Sequence, residues 1–571
     1  SKLLDKIDAL LYLEKNLNFL DLEHYQMLHD PTANLAAVLG AISRAKDELC
    51  GPEQYRALGE KMLAAAEQAQ DEELKLKAQK VLETARVYGF YEDFLKKEKL
   101  LDFGDLIFRA VRLLRENEAV KREVCAKYDA ILVDEFQDVN RACGMLLKEI
   151  AGCGERLWAV GDLRQSIYRW RGASPANIDL FAADFPEAET LPLEANYRSF
   201  EEIITLFSRF AETMKAGGRE FFHSWEPKRG AGAEKNKRSV RFEICDSLET
   251  EAARIAEHIK NYHAEGIRYK DCAVICRTHN QLGRFAEILA EKQIPVFYLG
   301  ELFERDEVRD LLALLDLKFS LDGHSLIRVA RFPEYRIPLE DAQKIIARQK
   351  KDVQTFGEVL KDEEFVKELS ETGKEGALKL ARHLNAYPPE FSAWQFLCFY
   401  LFNDSRFLSP FFADDDVQNR SRRLAVYQFL RLAQSAEERF QTESRPVAEF
   451  LNYVKKLAYF NEDKNYAQIP PEAENLDAVR LLTVHSAKGL EFPVVFLPYL
   501  GAGKIPLNKK RQICPNPDGM IEGETDFHAE EEECLFFVAM SRARDHLHLS
   551  RASKYGESNS NESKFLSALK E

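Results

Sequence analysis

The chain has 571 residues, of which 45% are hydrophobic, and a formal net charge of −15. This length and composition predict several folded domains and exclude a disordered chain. The negative charge excludes nucleic-acid binding by bulk charge, so any such site must be a local groove in which stacking supplies part of the affinity.

The first 127 residues show helical periodicity, and no convincing strand pattern appears before Ala130. From there the pattern changes to apolar runs at 131–133 and 157–160 with a helical segment between them. This spacing is typical of βαβ units and predicts a parallel sheet. Because the first run is apolar without interruption, we expect a strand that is buried on both faces.

A second set of strands is predicted further along the chain, and a helical block interrupts it. The block covers roughly residues 317–475 and shows no clear strand pattern. This arrangement indicates one domain inserted into another. The predicted elements are strands at 241–245 and 273–276, a helix at 281–291, strands at 479–484, 494–497 and 546–549, and a last short helix near the C-terminal end.

Cysteines and apolar runs limit the class of protein. Ten cysteines are spread along the chain without a C-x-x-C pair, which argues against a zinc site or a disulfide framework and favours reduced thiols in a cytoplasmic protein. The sequence has no signal peptide pattern. Its densest apolar run, 391–402, is too short to cross a bilayer.

Two acids, Asp134 and Glu135, directly follow the first predicted strand. Open α/β sheets bind their ligands at the carboxyl ends of parallel strands. One carboxylate could hold Mg²⁺ through a water molecule, and the other could orient an attacking water. A strand that simply ends in a charged turn explains these two residues equally well.

A longer polar stretch, V-G-D-L-R-Q-S-I-Y-R-W-R-G-A at 160–173, follows the next strand and should share its sheet edge with the two acids. Gln165 could hydrogen-bond a terminal phosphate or a water. Tyr168, Trp170 and Arg171 combine aromatic rings with a guanidinium, a mixture that suits stacking on single-stranded nucleic acid. Taken alone, Trp170 is better explained as a half-buried residue of a surface turn.

Three further stretches are ambiguous when each is taken alone. L-E-A-N-Y-R-S at 193–199 sets Tyr197 beside Arg198, which fits a ring on a purine and a guanidinium on a phosphate. L-L-T-V-H-S-A-K-G-L-E-F at 481–492 joins two strands. E-E-E-C-L-F-F-V-A-M-S-R-A-R at 531–544 is helical in pattern with Arg542 near its end, where a lone arginine is usually solvated or salt-bridged.

Together and in this order, DEFQD, GDLRQSIYRWRGA, LEANYRS, TVHSAKGLEF and EEECLFFVAMSRA resemble motifs II to VI of the UvrD/Rep/PcrA group of superfamily 1 DNA helicases. The segments at 101–107 and 274–317 also look like that group. The resemblance implies an α/β fold with two RecA-like parallel-sheet cores, the first incomplete, and large all-helical insertions. The implied domains are a helical insertion at 1–127, the remaining first core at 128–235, the second core at 236–318 and 476–571, and its helical insertion at 319–475.

The resemblance implies that the chain is an ATP-dependent DNA helicase that uses ATP and Mg²⁺ as cofactors. It assigns the nucleotide site as follows: Asp134 binds Mg²⁺ through water, Glu135 lies at the metal and activates the hydrolytic water, Gln165 senses the γ-phosphate, Tyr197 packs on the adenine, Arg198 touches the γ-phosphate, Glu491 binds the ribose, and Arg542 is the arginine finger.

The same resemblance assigns a second group of residues to DNA and to coupling. Tyr168, Trp170, Arg171, Thr483 and His485 would contact single-stranded DNA, with Trp170 as the stacking platform. Gln137 and Asp138 would link the two sites, and Arg277 resembles the arginine that follows the first strand of the second core. Single-stranded DNA and single-strand/duplex junctions are the expected partners, with 3′→5′ movement, DNA repair as a pathway class and a bacterial cytoplasmic, nucleoid-associated location.

Some features depart from that group. No G-x-x-x-x-G-K-[ST] phosphate loop occurs in the 571 residues. We therefore expect a fragment that lacks the N-terminal phosphate-loop segment and cannot hydrolyse ATP alone. A missing N-terminal segment or a partner chain could complete the ATP site. Glu334 to Pro338 stand where the group often has a glycine-bearing hairpin, and Leu163 and Arg164 replace a common acidic pair.

Two alternatives remain open at this stage. The chain could be the motor portion of an AddA- or RecB-like helicase–nuclease, because DEFQD occurs in those proteins too. It could instead be a non-catalytic DNA-binding or scaffold module. Retention of Asp134, Glu135, Gln165, Arg198 and Arg542 weighs against that second alternative.

Overall fold

The computed structural model describes residues 2–169, 172–173, 176–215, 225–229, 239–298, 300–319, 323–388, 390–440, 445–460, 462, 475–509, 512–521 and 527–570. The chain divides into two compact units. Unit 1 comprises Ser1–Glu257, Asp271–Thr278 and Leu482–Glu571, and unit 2 comprises His258–Lys270 and His279–Leu481. Within the described part of the chain, no helix is both long enough and apolar enough to cross a membrane.

Fourteen strands occur among the described residues. They are β1 Lys2–Leu3, β2 Leu100–Leu101, β3 Ile131–Val133, β4 Leu157–Ala159, β5 Ala195–Asn196, β6 Glu226–Pro227, β7 Val240–Cys245, β8 Cys272–Cys276, β9 Val296–Phe297, β10 Val479–Thr483, β11 Phe492–Leu497, β12 Ala543–Ala552, β13 Lys554–Tyr555 and β14 Ser558–Asn559.

Helices make up most of the remaining structure. They are α1 Lys6–Lys15, α2 Leu17–Leu20, α3 Leu35–Asp47, α4 Pro52–Ala69, α5 Glu72–Lys97, α6 Phe103–Glu116, α7 Glu118–Cys125, α8 Arg141–Ala151, α9 Ala176–Asp179, α10 Phe181–Asp184, α11 Glu201–Thr213, α12 Leu248–Ala264, α13 His279–Glu291, α14 Asp306–Leu317, α15 Gly323–Val329, α16 Leu339–Asp352, α17 Phe356–Val359, α18 Glu363–Lys367, α19 Glu371–Asn385, α20 Ala393–Phe399, α21 Val417–Phe440, α22 Pro446–Tyr459, α23 Val484–Ala487, α24 His528–Met540 and α25 Lys564–Lys570.

The largest sheet in the described part of the chain has six strands in the order β7-β12-β11-β8-β10-β9. The pairings of β7 with β12, β12 with β11, β11 with β8 and β10 with β9 are all parallel. Every residue of β8 is buried, as expected for a central strand of a parallel sheet. The α/β class with many helices, predicted from the sequence, is confirmed.

The core of unit 1 lies where helices cover this sheet. The buried apolar faces of α11, α24 and α25 form one cluster with apolar residues of β11 and β12. Phe207, Phe210, Phe536, Phe537 and Phe565 meet there, with edge-on ring contacts at 5.0–5.6 Å between Phe210 and Phe536, Phe207 and Phe537, and Phe210 and Phe565. This packing fixes α24, which leads directly into the segment carrying Arg542.

Strands β3 and β4 form a separate, two-stranded parallel sheet in unit 1, with Val133 opposite Ala159. The prediction that the first strand is buried on both faces is wrong. Leu132 is 77% exposed and Trp158 is 56% exposed, because no described element covers that face of the two strands. The apolar run predicted the strand correctly but not the exposure of one of its faces.

Residues 1–127 are largely helical in the structure. The 26-residue helix α5 begins at its N-cap Asp71, whose side chain accepts the amides of Glu73 and Leu74, and it packs against α4. Two strands nevertheless precede Ala130, where β1 pairs in parallel with β2. Each has two residues, too short a run for an apolar pattern to predict.

Unit 2 is built mainly from helices α13 to α22, together with β9 and most of β10. Buried apolar side chains of α14 and α21 belong to its core, among them Leu311, Leu314 and Phe429. The described residues of the predicted helical block at 317–475 contain helices and no strand. The five domain boundaries proposed from the sequence stay a prediction.

Candidate functional site

The two acids at the end of β3 lie at the exposed edge of the small sheet. Asp134 Oδ1 accepts the Glu135 amide at 2.8 Å. Glu135 adopts φ 49°, a left-handed conformation that is unusual for a residue with a side chain. Gln137 Nε2 donates to Glu135 Oε2 at 2.5 Å. A strained backbone at the end of a strand, with its carboxylate held by a neighbour, is typical of functional sites.

The turn after β4 meets this acidic segment, as the sequence predicted. Gln137 Oε1 accepts the Asp162 amide at 2.9 Å. Gln165 Nε2 donates to Asp162 Oδ2 at 2.9 Å. The parallel pairing of β3 with β4 confirms that both stretches leave the same edge of one sheet.

Lys488 joins the two stretches, and no role was assigned to it from the sequence. Its side chain is 7% exposed. Its Nζ lies 2.5 Å from Asp138 Oδ2, 2.7 Å from the Gln165 carbonyl and 3.4 Å from Glu135 Oε2. Burial raises the pKa of Asp138, and Lys488 opposes that shift. The lysine was quoted within TVHSAKGLEF, but its partner Asp138 is 350 residues away, so no local pattern indicated the contact.

Two arginines flank this network, and they differ in exposure. Arg198 Nε donates to Glu491 Oε2 at 2.8 Å, and its Nη1 donates to the Ser541 carbonyl at 3.2 Å. Arg542 is 2% exposed and donates to the carbonyls of Val538 and Leu490 and to Ser541 Oγ. The Nη2 of Arg542 also lies 3.4 Å from Gln165 Oε1.

Burial, together with the positive charge of Arg198, lowers the pKa of Arg542 to about 10. Arg542 nevertheless stays a cation at neutral pH. Two guanidinium groups that repel each other, next to an exposed sheet edge, favour an anion between or beside them. This electrostatic arrangement is suited to a phosphate.

Tyr197 and Glu491, which were also named for the nucleotide, and Arg277, which was matched to an arginine of the second core, are described. Tyr197 is 74% exposed, so its ring is open to a stacking partner. Glu491 holds Arg198, as above. Arg277 is fixed by Glu532, whose Oε1 accepts its Nε at 3.0 Å and its Nη2 at 2.8 Å. Glu532 is 1% exposed and was missed in the sequence, where it stands in a run of four glutamates.

The residues named for DNA are partly brought together. Tyr168 OH donates to the His485 carbonyl at 3.3 Å, and the two rings lie 5.8 Å apart. Thr483 is 7% exposed, and its hydroxyl accepts the Ser486 amide at the start of α23. Trp170 and Arg171 lie outside the described residues.

Asp134 and Glu135 provide the oxygen donors that Mg²⁺ prefers, and both are exposed at the strand end. Among the residues that the structure describes, no group of three metal-binding side chains occurs. Mg²⁺ usually keeps several waters and binds through one or two carboxylates. The pair therefore fits a hydrated Mg²⁺ held beside a phosphate.

Comparison with known proteins identifies two adjoining family matches. Residues 2–186 match the UvrD/REP helicase N-terminal domain, and residues 191–554 match the UvrD-like helicase C-terminal domain. The chain is similar to the ATP-dependent DNA helicase PcrA of Staphylococcus epidermidis and to that of Staphylococcus aureus. Each is 28% identical over 542 residues, covering 93% of this chain and 68% of the relative. Neither the helicase–nuclease nor the scaffold alternative is favoured by these matches.

Proposed function

This chain belongs to the UvrD/REP family of DNA helicases. We propose that, with a phosphate loop supplied from outside these 571 residues, it is an ATP-driven translocase that moves 3′→5′ along single-stranded DNA. The observation that carries the proposal is one connected network at the sheet edge. In it, Lys488 contacts Glu135, Asp138 and Gln165, and Arg542 contacts Gln165. The cytoplasm, where DNA is accessible, is the proposed location.

The nucleotide half of the mechanism uses the acids and the arginines. Bound MgATP would supply the reactive phosphoryl group and a metal charge that polarises it. Asp134 would hold the hydrated metal, and Glu135 would accept a proton from the attacking water at its carboxylate. Arg198 and Arg542 would neutralise the charge that develops on the phosphoryl oxygens. Tyr197 would stack on the base, and Glu491 would bind the sugar.

The arginines also suggest how nucleotide could change the protein. All the acceptors of Arg542 described above are groups of the chain itself, including Gln165 Oε1. A phosphate is a stronger acceptor for a guanidinium than a carbonyl or an amide oxygen. We propose that nucleotide draws Arg542 and Gln165 from each other, and that Lys488 passes the change to Asp138.

The DNA half uses the turn after β4 and the segment before α23. Tyr168, Trp170, Arg171, Thr483 and His485 are the proposed contacts for single-stranded DNA. The hydrogen bond from Tyr168 to the His485 carbonyl supports a common surface for the two segments. Stacking on aromatic rings would allow binding without sequence preference.

The full-length gene product provides the test. ATP hydrolysis should rise when single-stranded DNA is added, and Glu135→Gln should lower kcat at least about 100-fold while nucleotide still binds. Glu123→Gln, an exposed acid 3.8 Å from Lys127, is the matched control and should behave as the wild type. Turnover that ignores DNA, or that is indifferent to Glu135→Gln, would reject the proposal. Unwinding of duplexes with 3′ but not 5′ tails tests the direction.

A further inference from the structure

The turn that leaves β4 is held by a helix far away in the sequence. Its backbone folds back on itself, because the Arg169 carbonyl accepts the Gly172 amide at 3.0 Å and the Tyr168 carbonyl accepts the Ala173 amide at 3.2 Å. The side chain of Arg169 turns to one side, where its Nη1 lies 2.8 Å from Glu530 Oε2. The other side faces the C-terminal end of α3.

Arg44 of α3 holds this turn on its N-terminal side. Its Nη1 donates to the Arg169 carbonyl at 3.1 Å. Its Nη2 lies 3.3 Å from Glu48 Oε1, which fixes the direction of the guanidinium. The side chain of Arg44 is 20% exposed, so this hydrogen bond is largely shielded from water.

Asp47, one turn further along α3, holds the C-terminal side of the turn through Asn140. Asp47 Oδ1 accepts Asn140 Nδ2 at 2.7 Å. The backbone of Asn140 forms a β-bridge with Ala173, and its side chain caps α8 by accepting the Cys143 amide at 2.8 Å. Removal of the Asp47 carboxylate would therefore loosen Asn140 and, with it, Ala173.

A glycine stands in the turn where α3 approaches it. Gly172 has φ +95°, and a Cβ added to it would lie 2.9 Å from Asp47 Oδ2 and 3.0 Å from Arg44 Nη1. A side chain at this position would force the Asp47 carboxylate and the Arg44 guanidinium to shift, and it would strain a backbone conformation that favours glycine. Helix α3 itself is anchored by the buried Lys46, which pairs with Glu92, Asp102 and Asp105.

We propose that Arg44 and Asp47 are positioning residues for single-strand binding, because they hold the residues that stand on either side of Trp170 in the sequence. This inference rests on the proposed function, in which that turn contacts DNA. Neither residue lies in the stretches that resemble helicase motifs, and neither is expected to touch DNA. Their effect should pass entirely through the turn.

A double-mutant cycle in the full-length gene product tests this coupling. Affinity for a fluorescein-labelled oligo(dT) is measured by anisotropy. Arg44→Ala should weaken binding about tenfold, because it removes a hydrogen bond from a charged donor. In a Trp170→Ala background the same substitution should change affinity less than twofold. The kcat for ATP at saturating DNA should stay within about twofold of the wild type, so the loss appears in the KM for DNA.

Other variants separate positioning from a general loss of structure. Asp47→Asn keeps an acceptor for Asn140 and should bind as the wild type, whereas Asp47→Ala should not. Gly172→Ala disturbs the same contact by a substitution in the turn and keeps the sequence of α3, so it keeps the test valid if Arg44→Ala does not fold. Arg112→Ala is the control, because Arg112 is 68% exposed and pairs with Glu116 on its own helix.

The outcomes distinguish the inference from the proposed function. Equal losses from Arg44→Ala in both backgrounds, or no loss from Arg44→Ala and Gly172→Ala, would overturn the inference alone. If the wild type does not bind oligo(dT), or Trp170→Ala binds it as well as the wild type, the DNA role of the turn is wrong and the inference falls with it.

Discussion

At the scale of single residues, Glu251 is a carboxyl group buried at the end of the large sheet. It is 0% exposed. Its Oε1 accepts the Tyr499 amide at 3.1 Å and Ser550 Oγ at 2.7 Å, and its Oε2 accepts Tyr555 OH at 3.1 Å. Burial raises the pKa of Glu251 to about 7, although the three donors oppose the shift. Its contribution to stability must therefore depend on pH.

The direction of this pH dependence of stability follows from proton binding at Glu251. Between the ordinary pKa of a glutamate, near 4.5, and the raised value of about 7, the folded chain binds more protons at this site than the unfolded chain. Stability therefore falls as pH rises through this window, and the full cost of the buried charge is present above it. Glu251→Gln keeps the shape and removes the charge.

We expect Glu251→Gln to gain stability relative to the wild type by about 1 kcal/mol more at pH 8 than at pH 6. Urea unfolding at the two pH values measures this difference. Glu257→Gln, an exposed glutamate on the same helix that is 3.0 Å from Arg254, is the control and should show no such change. The same gain at both pH values would contradict the prediction.

At the scale of elements, the junction between α3 and α6 depends on one buried cation. Lys46 is 1% exposed and lies 2.7 Å from Asp102, 2.7 Å from Glu92 and 3.1 Å from Asp105. Burial disfavours its charge, but the three carboxylates outweigh that cost and raise the pKa of Lys46. Asp102 and Asp105 also form the capping box that begins α6. Asp102 thus both caps α6 and pairs with the buried Lys46.

Asp102→Ala should therefore cost more than the loss of a helix cap. The cap alone contributes about 1 kcal/mol, and removal of one carboxylate from a buried lysine brings the expected loss to roughly 3 kcal/mol. Asn117→Ala is the matched control, because Asn117 caps α7 through the Val120 amide in an exposed position. Thermal unfolding measures both variants. Equal losses for the two would show that Lys46 does not depend on Asp102.

The elements that the sequence predicted well share a local signal. The strands β3, β8 and β11 and the helix α13 were predicted within about two residues, because each is a continuous apolar run or a periodic face. Strand β12 extends three residues beyond its predicted stretch at each end, since polar residues such as Arg544, Asp545, Ser550 and Arg551 fill most of those extra positions. Burial was not predictable in the same way, as the exposed Leu132 shows.

The site could be predicted where its residues follow strands, and not where a partner comes from distant sequence. Asp134 and Gln165 were expected at one sheet edge because parallel strands end together. Lys488 and Arg44 were not, because their contacts with Asp138 and the Arg169 carbonyl join residues 350 and 125 positions apart. Such contacts depend on tertiary packing that no periodicity records.

At the scale of the whole molecule, the net charge of −15 must be reconciled with binding to a polyanion. The cations described at the site are few and are partly neutralised by the chain itself, as in the pairs of Arg198 with Glu491 and of Arg169 with Glu530. Electrostatic affinity should therefore be modest. Aromatic stacking must supply a large share of the binding free energy.

Because stacking and charge both contribute, we expect the affinity for DNA to depend weakly on salt, and we expect variants to separate the two contributions. With three to five phosphate contacts, log Kd for oligo(dT) should rise with log salt at a slope of about 2 to 4, since each contact on a single strand contributes about 0.7. Trp170→Ala should weaken binding about tenfold and leave the slope unchanged, because stacking releases no counterions. Arg171→Ala should lower the slope by about 0.7.

Anisotropy titrations of the full-length gene product from low to high salt measure all three proteins, with Arg112→Ala as the control for an exposed arginine elsewhere. If Trp170→Ala flattens the slope as much as Arg171→Ala does, Trp170 contributes through charge placement and not through stacking.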